Sequence, residues 1–315
     1  MRFIRGMMGM GDTIHSRAVV KYHASQGGVV LETPWPCFFY DIDNVQFVKP
    51  NTQLRTQNKN IERESDKYIS EYSRERRIVI TYDYQSVKWH GGFFKAMCAM
   101  SGLPRNHGIP FALLENHDWT AKAKKWLDLW KPDKPLMIYR PLVERTEWNG
   151  CASRNPDKAA YVELAKSFKD QFFIVSIADL KAGIEWQVSE SIGVDVECHH
   201  GELDAETLAA LYFHASLVYC SPGFSLIMAQ ATKAPMVCVF GGHESARLYS
   251  HGWDYNCFIE PVNPCECFSK THNCDKRIDI EQAKLKIGAF LESQSTIIKD
   301  RAEKVRHLRT ASTVL

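Results

Sequence analysis

Arg2-Phe-Ile-Arg-Gly-Met-Met-Gly-Met-Gly-Asp-Thr-Ile-His15 opens the chain, and the order of its residue types predicts the fold. A short apolar strand runs into Gly6, Gly9 and Gly11, and a carboxylate, Asp12, stands where a helix should begin. Glycine lets backbone approach a ligand or a neighbouring strand closely, and the first turn of a helix presents unpaired N–H groups. An acidic side chain at that point either caps the helix or works as a general base. Downstream, Ile14, Ala18 and Tyr22 recur at four-residue spacing and predict a helix over 13–25. Gly27-Gly28 ends it, and Val29-Val-Leu31 reads as a short buried strand. Strand, glycine turn, helix, strand is the opening of a parallel α/β unit.

A length of 315 residues suits two such domains. With 45% hydrophobic and 24% charged residues the composition is that of a globular protein, and a formal net charge of +2 gives no argument for nucleic acid by itself. No apolar run reaches the roughly 18 residues of a membrane span, and the start lacks the apolar core of a signal peptide. Ten cysteines without such a signal read as reduced thiols, so the expected location is the cytoplasm.

Further strands are expected at Val45–Val48 and Ile78–Tyr82, with helices around Phe94–Met100 and over 119–130. Between them, residues 55–77 carry seven basic and five acidic side chains, the mixture of a solvated loop or exposed helix, or of a flap that faces an acceptor. Lys131-Pro-Asp-Lys-Pro135 has the composition of a linker. The pattern then repeats: strands at Leu136–Tyr139, Phe172–Val175, Val194–Val196, Leu217–Cys220 and Met236–Phe240, with helices at 156–170, after Asp204, and at 224–233. Asn155-Pro156 reads as a cap and first-turn pair. One helical pattern runs from Ile280 to Leu308. The expected domains are therefore 1–133, 134–279 and a closing helical segment, 280–315, that packs back on the first domain.

Four constellations bear chemistry. The opening loop is neither a P-loop, since no Lys-Ser/Thr follows its last glycine, nor a dinucleotide fingerprint, since its spacing is G-x-x-G-x-G. Tight helix-on-strand packing and ligand binding both remain open for it. Cys220-Ser-Pro-Gly-Phe-Ser225 lies between a strand and a helix, where Ser221, Ser225 and the first amides make a phosphate seat, with Ser221 and Pro222 also suited to cap and first position. Arg140 and Arg145, in the loop Arg140–Asn149 after a strand, are able to neutralise a diphosphate. Cys257, Cys265, Cys267 and Cys274, with His251 and His272 near in sequence, lack the paired C-x-x-C knuckles of common zinc sites and read as ordinary buried or loop thiols, with a structural metal on these four as the alternative. No G-x-S-x-G elbow is present, and Asp41-Ile-Asp43, the one Asp-x-Asp pair considered for a metal-dependent transferase, reads as a loop feature.

Two stretches then carry a family resemblance. Gly9-Met-Gly-Asp-Thr-Ile14 resembles the Gly-Asp start of the heptosyltransferase-like glycosyltransferases of family 9. The segment from Ala215 through Cys220-Ser-Pro-Gly-Phe-Ser225 and the Ala-rich helix to Val239-Phe-Gly241 is similar to that family's donor-binding segment. The cysteine-rich stretch and the last helix also look like that family's ends. The resemblance implies a GT-B fold, two Rossmann-like parallel α/β domains facing a cleft. It implies a nucleotide-diphosphate sugar as donor, held by Arg140, Arg145, Thr146, Ser221, Pro222, Gly223, Phe224 and Ser225. Asp12 would be the catalytic base, with Gly9, Gly11, Thr13 and His15 as the acceptor or phosphate loop and no cofactor or metal required. A glycan, a lipid-linked saccharide or modified DNA would be the acceptor. Two departures stand out: the family usually has an acid where Ser221 stands and a histidine where Leu226 stands, so heptose specificity does not carry over. A nucleotide-sugar epimerase of the same fold and a catalytically inactive nucleotide- or glycan-binding module are the alternatives.

Overall fold

The computed structural model describes residues 1–146, 153–251, 253–269 and 274–310. They form two compact units, Met1–Leu114 with Arg247–Ser250, and Glu115–Ala246 with His251–Leu315. Among the described residues no helix is long and apolar enough to cross a membrane.

The first unit is built on four parallel strands, β1 (Arg2–Arg5), β2 (Val29–Glu32), β3 (Val45–Val48) and β4 (Ile78–Val79), in the order β3-β2-β1-β4. Alternation decides which side chain goes where: Phe3, Val30 and Val48 share one face and bury together, with Ile69 and Tyr72 packed over them. Helix α1 (Met10–Ala24) joins β1 to β2, and Thr13 through Val20 are all buried. The polar tract takes a definite place: α2 (Arg55–Arg63) buries Gln57, Asn60 and Ile61, so this part is not a solvated loop. Tyr72 stacks on Phe3 at 5.6 Å, with the Arg74 guanidinium over both rings. Helices α3 (Tyr84–His90) and α4 (Phe93–Met100) complete the unit, and the strand expected to reach Tyr82 stops at Val79.

Arg17 is the largest fully buried side chain in this unit. Its guanidinium pairs with both Asp41 oxygens, at 2.8 and 2.7 Å, and donates to the carbonyls of Phe38 and Ala112. Asp41 is thus a structural counter-ion, in keeping with the loop reading of Asp41-Ile-Asp43. Burial works against its charge, but the Arg17 guanidinium prevails and holds its carboxyl below the ordinary value. A carboxyl pKa lower in the folded than in the unfolded chain adds stability above about pH 4 that is lost as pH falls through the folded value. Asp41→Asn should therefore cost about 2–3 kcal/mol at pH 7, moderated by the partial exposure of Asp41, and the gap to the wild type should shrink below about pH 4. Urea unfolding at pH 7 and pH 3.5 measures both. A gap that does not change with pH rules out the ion pair as its source.

The second unit begins with α5 (His117–Trp130), which packs against α7 (Ala205–His214) and α10 (Ser295–Thr310). The sequence places this helix before the linker in the first domain. The apolar face that carries Trp119, Ala123 and Leu127 is buried in the second unit instead, which moves the boundary from 133/134 to 114/115. Strands β5 (Leu136–Tyr139), β7 (Phe173–Ile177), β9 (Val196–Cys198), β10 (Leu217–Cys220), β11 (Met236–Val239) and β12 (Asn256–Ile259) form one parallel sheet in the order β12-β11-β10-β5-β7-β9. β6 (Val143–Arg145) and β8 (Glu185–Gln187) pair antiparallel beside it. Helix α6 (Lys158–Lys166) starts later than Asn155-Pro156 suggests, because Asp157 caps it by accepting from the Ala160 amide. Asp204 caps α7 as its sequence predicts. Helix α8 (Phe224–Ala231) follows β10. The tail is two helices, α9 (Ile280–Ser293) and α10, with Gln294 between them. Arg301 of α10 donates to the carbonyls of Tyr212, Phe213, Ala215, Thr232 and Lys233, at the carboxyl ends of α7 and α8, and so fixes the tail within this unit.

Candidate functional site

In the first sheet the chain order reverses between β1 and β4, and in the second between β10 and β5. Loops leaving the carboxyl ends of strands at such a reversal diverge to opposite faces and leave a crevice, the usual ligand position of open parallel sheets. Both glycine turns singled out in the sequence lie at these two points.

At the first, the loop after β1 enters α1 with Gly9 as cap residue and Asp12 in the first turn. Asp12 Oδ1 accepts a hydrogen bond from the Tyr82 hydroxyl at 2.8 Å. Tyr82 follows β4, the neighbour of β1, so the sheet order brings together two residues far apart in sequence. Its ring meets Phe93 edge-on at 5.4 Å, which limits how it can turn. The loop is fastened through its carbonyls: Thr13 Oγ1 donates to Met7 O at 2.9 Å, and Trp35 Nε1 and Gln57 Nε2 donate to Met8 O at 3.0 and 2.9 Å. A Cβ at Gly9 would lie 2.9 Å from Asp12 Oδ2, so a side chain there would push that carboxylate aside.

Gly9, Gly11 and Asp12 are partly exposed, whereas Thr13 and His15 are buried. Thr13 spends its hydroxyl on the loop, and His15 packs between Phe94 and Phe111 with ring centroids 5.6 and 4.6 Å away. These two residues shape the site from behind. The periodicity of α1 places His15 one residue beyond Ile14 and gives no warning of this, because α1 is buried on nearly all sides.

At the second point, Arg140 leaves the end of β5 and lies against the turn after β10, with its guanidinium carbon 5.3 Å from the centre of the Phe224 ring. Arg140 is buried and donates to Ile177 O at 2.8 Å and to Glu185 Oε1 at 3.1 Å. Arg145 donates to the same Glu185 oxygen at 3.0 Å. Burial lowers the Arg140 pKa from the usual guanidinium range, against the pull of Glu185. Two guanidinium groups thus share one carboxylate oxygen. Glu185 is absent from any sequence motif; only the β6–β8 pairing, which sets Arg145 opposite Glu185, brings it here.

In the turn itself, Gly223 has φ of +153°, a backbone that side-chain-bearing residues rarely adopt, and a Cβ there would meet nothing within 4 Å. Gly223, not Ser221, is the cap residue of α8, and Phe224 rather than Pro222 is its first residue. Ser225 is buried and shares a 2.5 Å hydrogen bond with the Tyr212 hydroxyl, so this serine secures the turn from beneath. Ser221, Gly223 and Phe224 are partly exposed and Pro222 is buried. Thr146 is exposed and joins Ile184 through its amide. Glu147–Asn149, the rest of the arginine loop, lie outside the described residues.

The thiols divide. Cys257 is part of β12 and packs in the core as an ordinary buried thiol. Cys265, Cys267 and Cys274 have sulfur atoms within 4.8 Å of one another. Burial pushes the Cys265 thiol up to about 11. Against burial, the Ser269 amide and the neighbouring thiols hold Cys267 below the ordinary thiol value. His272 lies outside the described residues.

Compared with known proteins, the sequence matches no protein-family model and no curated protein. The structure does have relatives. It is similar to the ADP-heptose LPS heptosyltransferase II of E. coli, with a TM-score of 0.58, 14% identity and coverage of 94% of this chain and 100% of that one. A family 9 glycosyl transferase from Veillonella parvula gives a TM-score of 0.60 at 11% identity, over 93% of this chain and 97% of that one. TibC, the iron-containing dodecameric glycosyltransferase of enterotoxigenic E. coli, gives 0.53 at 13% identity, over 95% of this chain and 76% of that one. At such identities the likeness establishes the fold, the GT-B arrangement of two parallel α/β units.

Proposed function

We propose that the protein is a glycosyltransferase that moves the sugar of a nucleotide-diphosphate sugar to an acceptor hydroxyl, with Asp12 as general base. The single observation behind this reading is the placement of Asp12 beside Tyr82 at the chain reversal of its sheet. The first unit serves the acceptor. The second serves the donor, whose diphosphate is met by Arg140, Arg145 and the first amides of α8. In the reaction, the acceptor oxygen attacks the anomeric carbon while Asp12 takes its proton. The bond to the diphosphate breaks, and the departing negative charge is met by the guanidinium groups of Arg140 and Arg145. Those cations support a transfer that needs no metal at the donor phosphates, and turnover undiminished by a chelator is the expected result.

ADP-heptose is the first donor to try, because the E. coli neighbour is described with it. Glycans, lipid-linked saccharides and modified DNA are the acceptors to pair with it and with other nucleotide sugars. We place the reaction in the cytoplasm. The test is nucleoside diphosphate release, followed by mass spectrometry. Release that requires both substrates supports transfer. Conversion of the donor alone identifies an epimerase, and binding without either reaction identifies a binding module.

Tyr82 is a positioning residue in this reading. Tyr82→Phe removes one hydrogen bond to a carboxylate, worth about 1.5–3 kcal/mol when the charged oxygen is well placed, so kcat should fall roughly 10- to 100-fold. The donor KM and the melting temperature should stay close to wild type. A loss that appears in KM and melting temperature together would assign Tyr82 to structure alone.

A further inference from the structure

We propose that Cys265, Cys267 and Cys274 hold a thiophilic metal ion of the Zn2+ class, a structural site that braces the segment following β11.

Convergence is the first observation. A tetrahedral ion with bonds of about 2.3 Å to sulfur holds its thiolates about 3.8 Å apart. The three sulfur atoms already lie within 4.8 Å of one another, so movements of about an ångström close the site. A disulfide would use two of these sulfurs and leave the third without a purpose. All three meeting at one place supplies three of the four ligands that a tetrahedral ion takes.

The second observation is how the loop is held. Glu266 N donates to Gly242 O at 2.9 Å, and Phe268 N donates to His243 O at 3.1 Å. Phe268 is buried and its ring meets His243 edge-on at 5.7 Å, while Cys267 on its other side is exposed. Phe268, next to Cys267 in the chain, is thus the anchor, while Cys267 stays at the surface and Cys265 is half-buried. Glu266 and Phe268 both have positive φ, 45° and 51°. Non-glycine residues accept that conformation only where their surroundings impose it. It sets the two cysteines of Cys265-x-Cys267 toward the same point, which the sequence spacing alone did not suggest.

The third observation is the amide of Ser269, which donates to Cys267 Sγ at 3.4 Å. An N–H aimed at sulfur stabilises the thiolate, the form that binds metal. Cys265 Sγ donates to Gly242 O at 3.1 Å, and on binding that proton leaves to solvent. Each thiol that joins the ion gives up its proton in the same way, with no change in oxidation state. The metal then ties Cys274 to Cys265 and Cys267, which are held at Gly242 just after β11, within the second unit. Its role is folding energy rather than chemistry, so it stands or falls independently of the proposed transfer reaction.

The test uses the full chain, purified under reducing conditions without a metal-affinity step. Elemental analysis should find about one zinc-class ion per chain. Treatment with a strong chelator should release it, expose three more thiols to titration and lower the melting temperature. Re-addition of Zn2+ should reverse all three changes. Cobalt loaded into the stripped wild-type chain should show thiolate-to-metal charge-transfer absorption, a readout that does not depend on any variant folding. Cys267→Ser and Cys274→Ser should each abolish the ion, whereas Cys198→Ser, a buried thiol elsewhere in the unit, should keep it. Failure of the stripped wild-type chain to take up Zn2+ or Co2+ overturns the proposal. So does metal retained by Cys267→Ser with Cys274→Ser, or a disulfide between any two of the three in reduced protein.

Discussion

Asp12→Asn should lower kcat by about 10²- to 10⁴-fold, leave the donor KM within a few-fold of wild type and scarcely move the melting temperature. Asparagine keeps the shape of the side chain and an oxygen to accept from the Tyr82 hydroxyl, but it has no basic oxygen to take the acceptor proton. Asp12 also lies in the first turn of α1, where a negative charge favours the helix by about 0.3–1 kcal/mol. The two roles differ in what they put at risk. Loss of a helix-terminal charge alone lowers stability slightly and leaves turnover intact. Loss of the base removes several kcal/mol of transition-state stabilisation and leaves stability intact. Rates near wild type for Asp12→Asn, with a donor and acceptor that the wild type turns over, would remove Asp12 from the mechanism.

Glu185→Ala should destabilise the second unit by about 3–5 kcal/mol, because it leaves the buried Arg140 guanidinium without its counter-charge and Arg145 beside it. For a unit of this size that corresponds to a fall in melting temperature of about 6–20 °C. The companion experiment gives the prediction its sign. Replacing Glu185 and its more deeply buried partner, Glu185→Leu with Arg140→Met, removes the fully buried stranded charge, leaves only the less buried Arg145, and should recover part of the loss, since a buried pair costs desolvation that an apolar pair does not. Donor affinity should then separate the structural from the binding role. The stable double variant should bind nucleotide diphosphate much more weakly than wild type if Arg140 meets the phosphates, and equally well if it only supports the sheet edge. Equal stability of Glu185→Ala and wild type would show that Glu185 is not the counter-ion.

Much of the framework is local and therefore legible in sequence. The glycine turn into α1 and the β10–turn–α8–β11 segment each combine a short apolar strand, a glycine and a periodic helix, and each formed close to its expected bounds. Capping is equally local: Asp204 was readable because a cap acts three residues ahead. Where local signals competed, the structure chose differently. Asp157 displaced Asn155 as the cap of α6, while Asn155 reaches the Val143 carbonyl and accepts from Lys276. The long tail pattern broke at Gln294 because α10 turns to place Arg301 over the ends of α7 and α8.

By itself the sequence determined the two parallel α/β units and the positions of the two glycine turns. Only the tertiary structure decided what each of these touches. Tyr82 reaches Asp12 because β4 lies beside β1, Glu185 reaches Arg140 and Arg145 because β8 pairs with β6, and Cys257 leaves the other three thiols because β12 carries it into the core. The physical reason is the same in each case. Spacing along a chain records the period of one helix or strand, whereas a partner is set by the order of strands in a sheet and by which faces are buried, and these arise only when distant segments pack together.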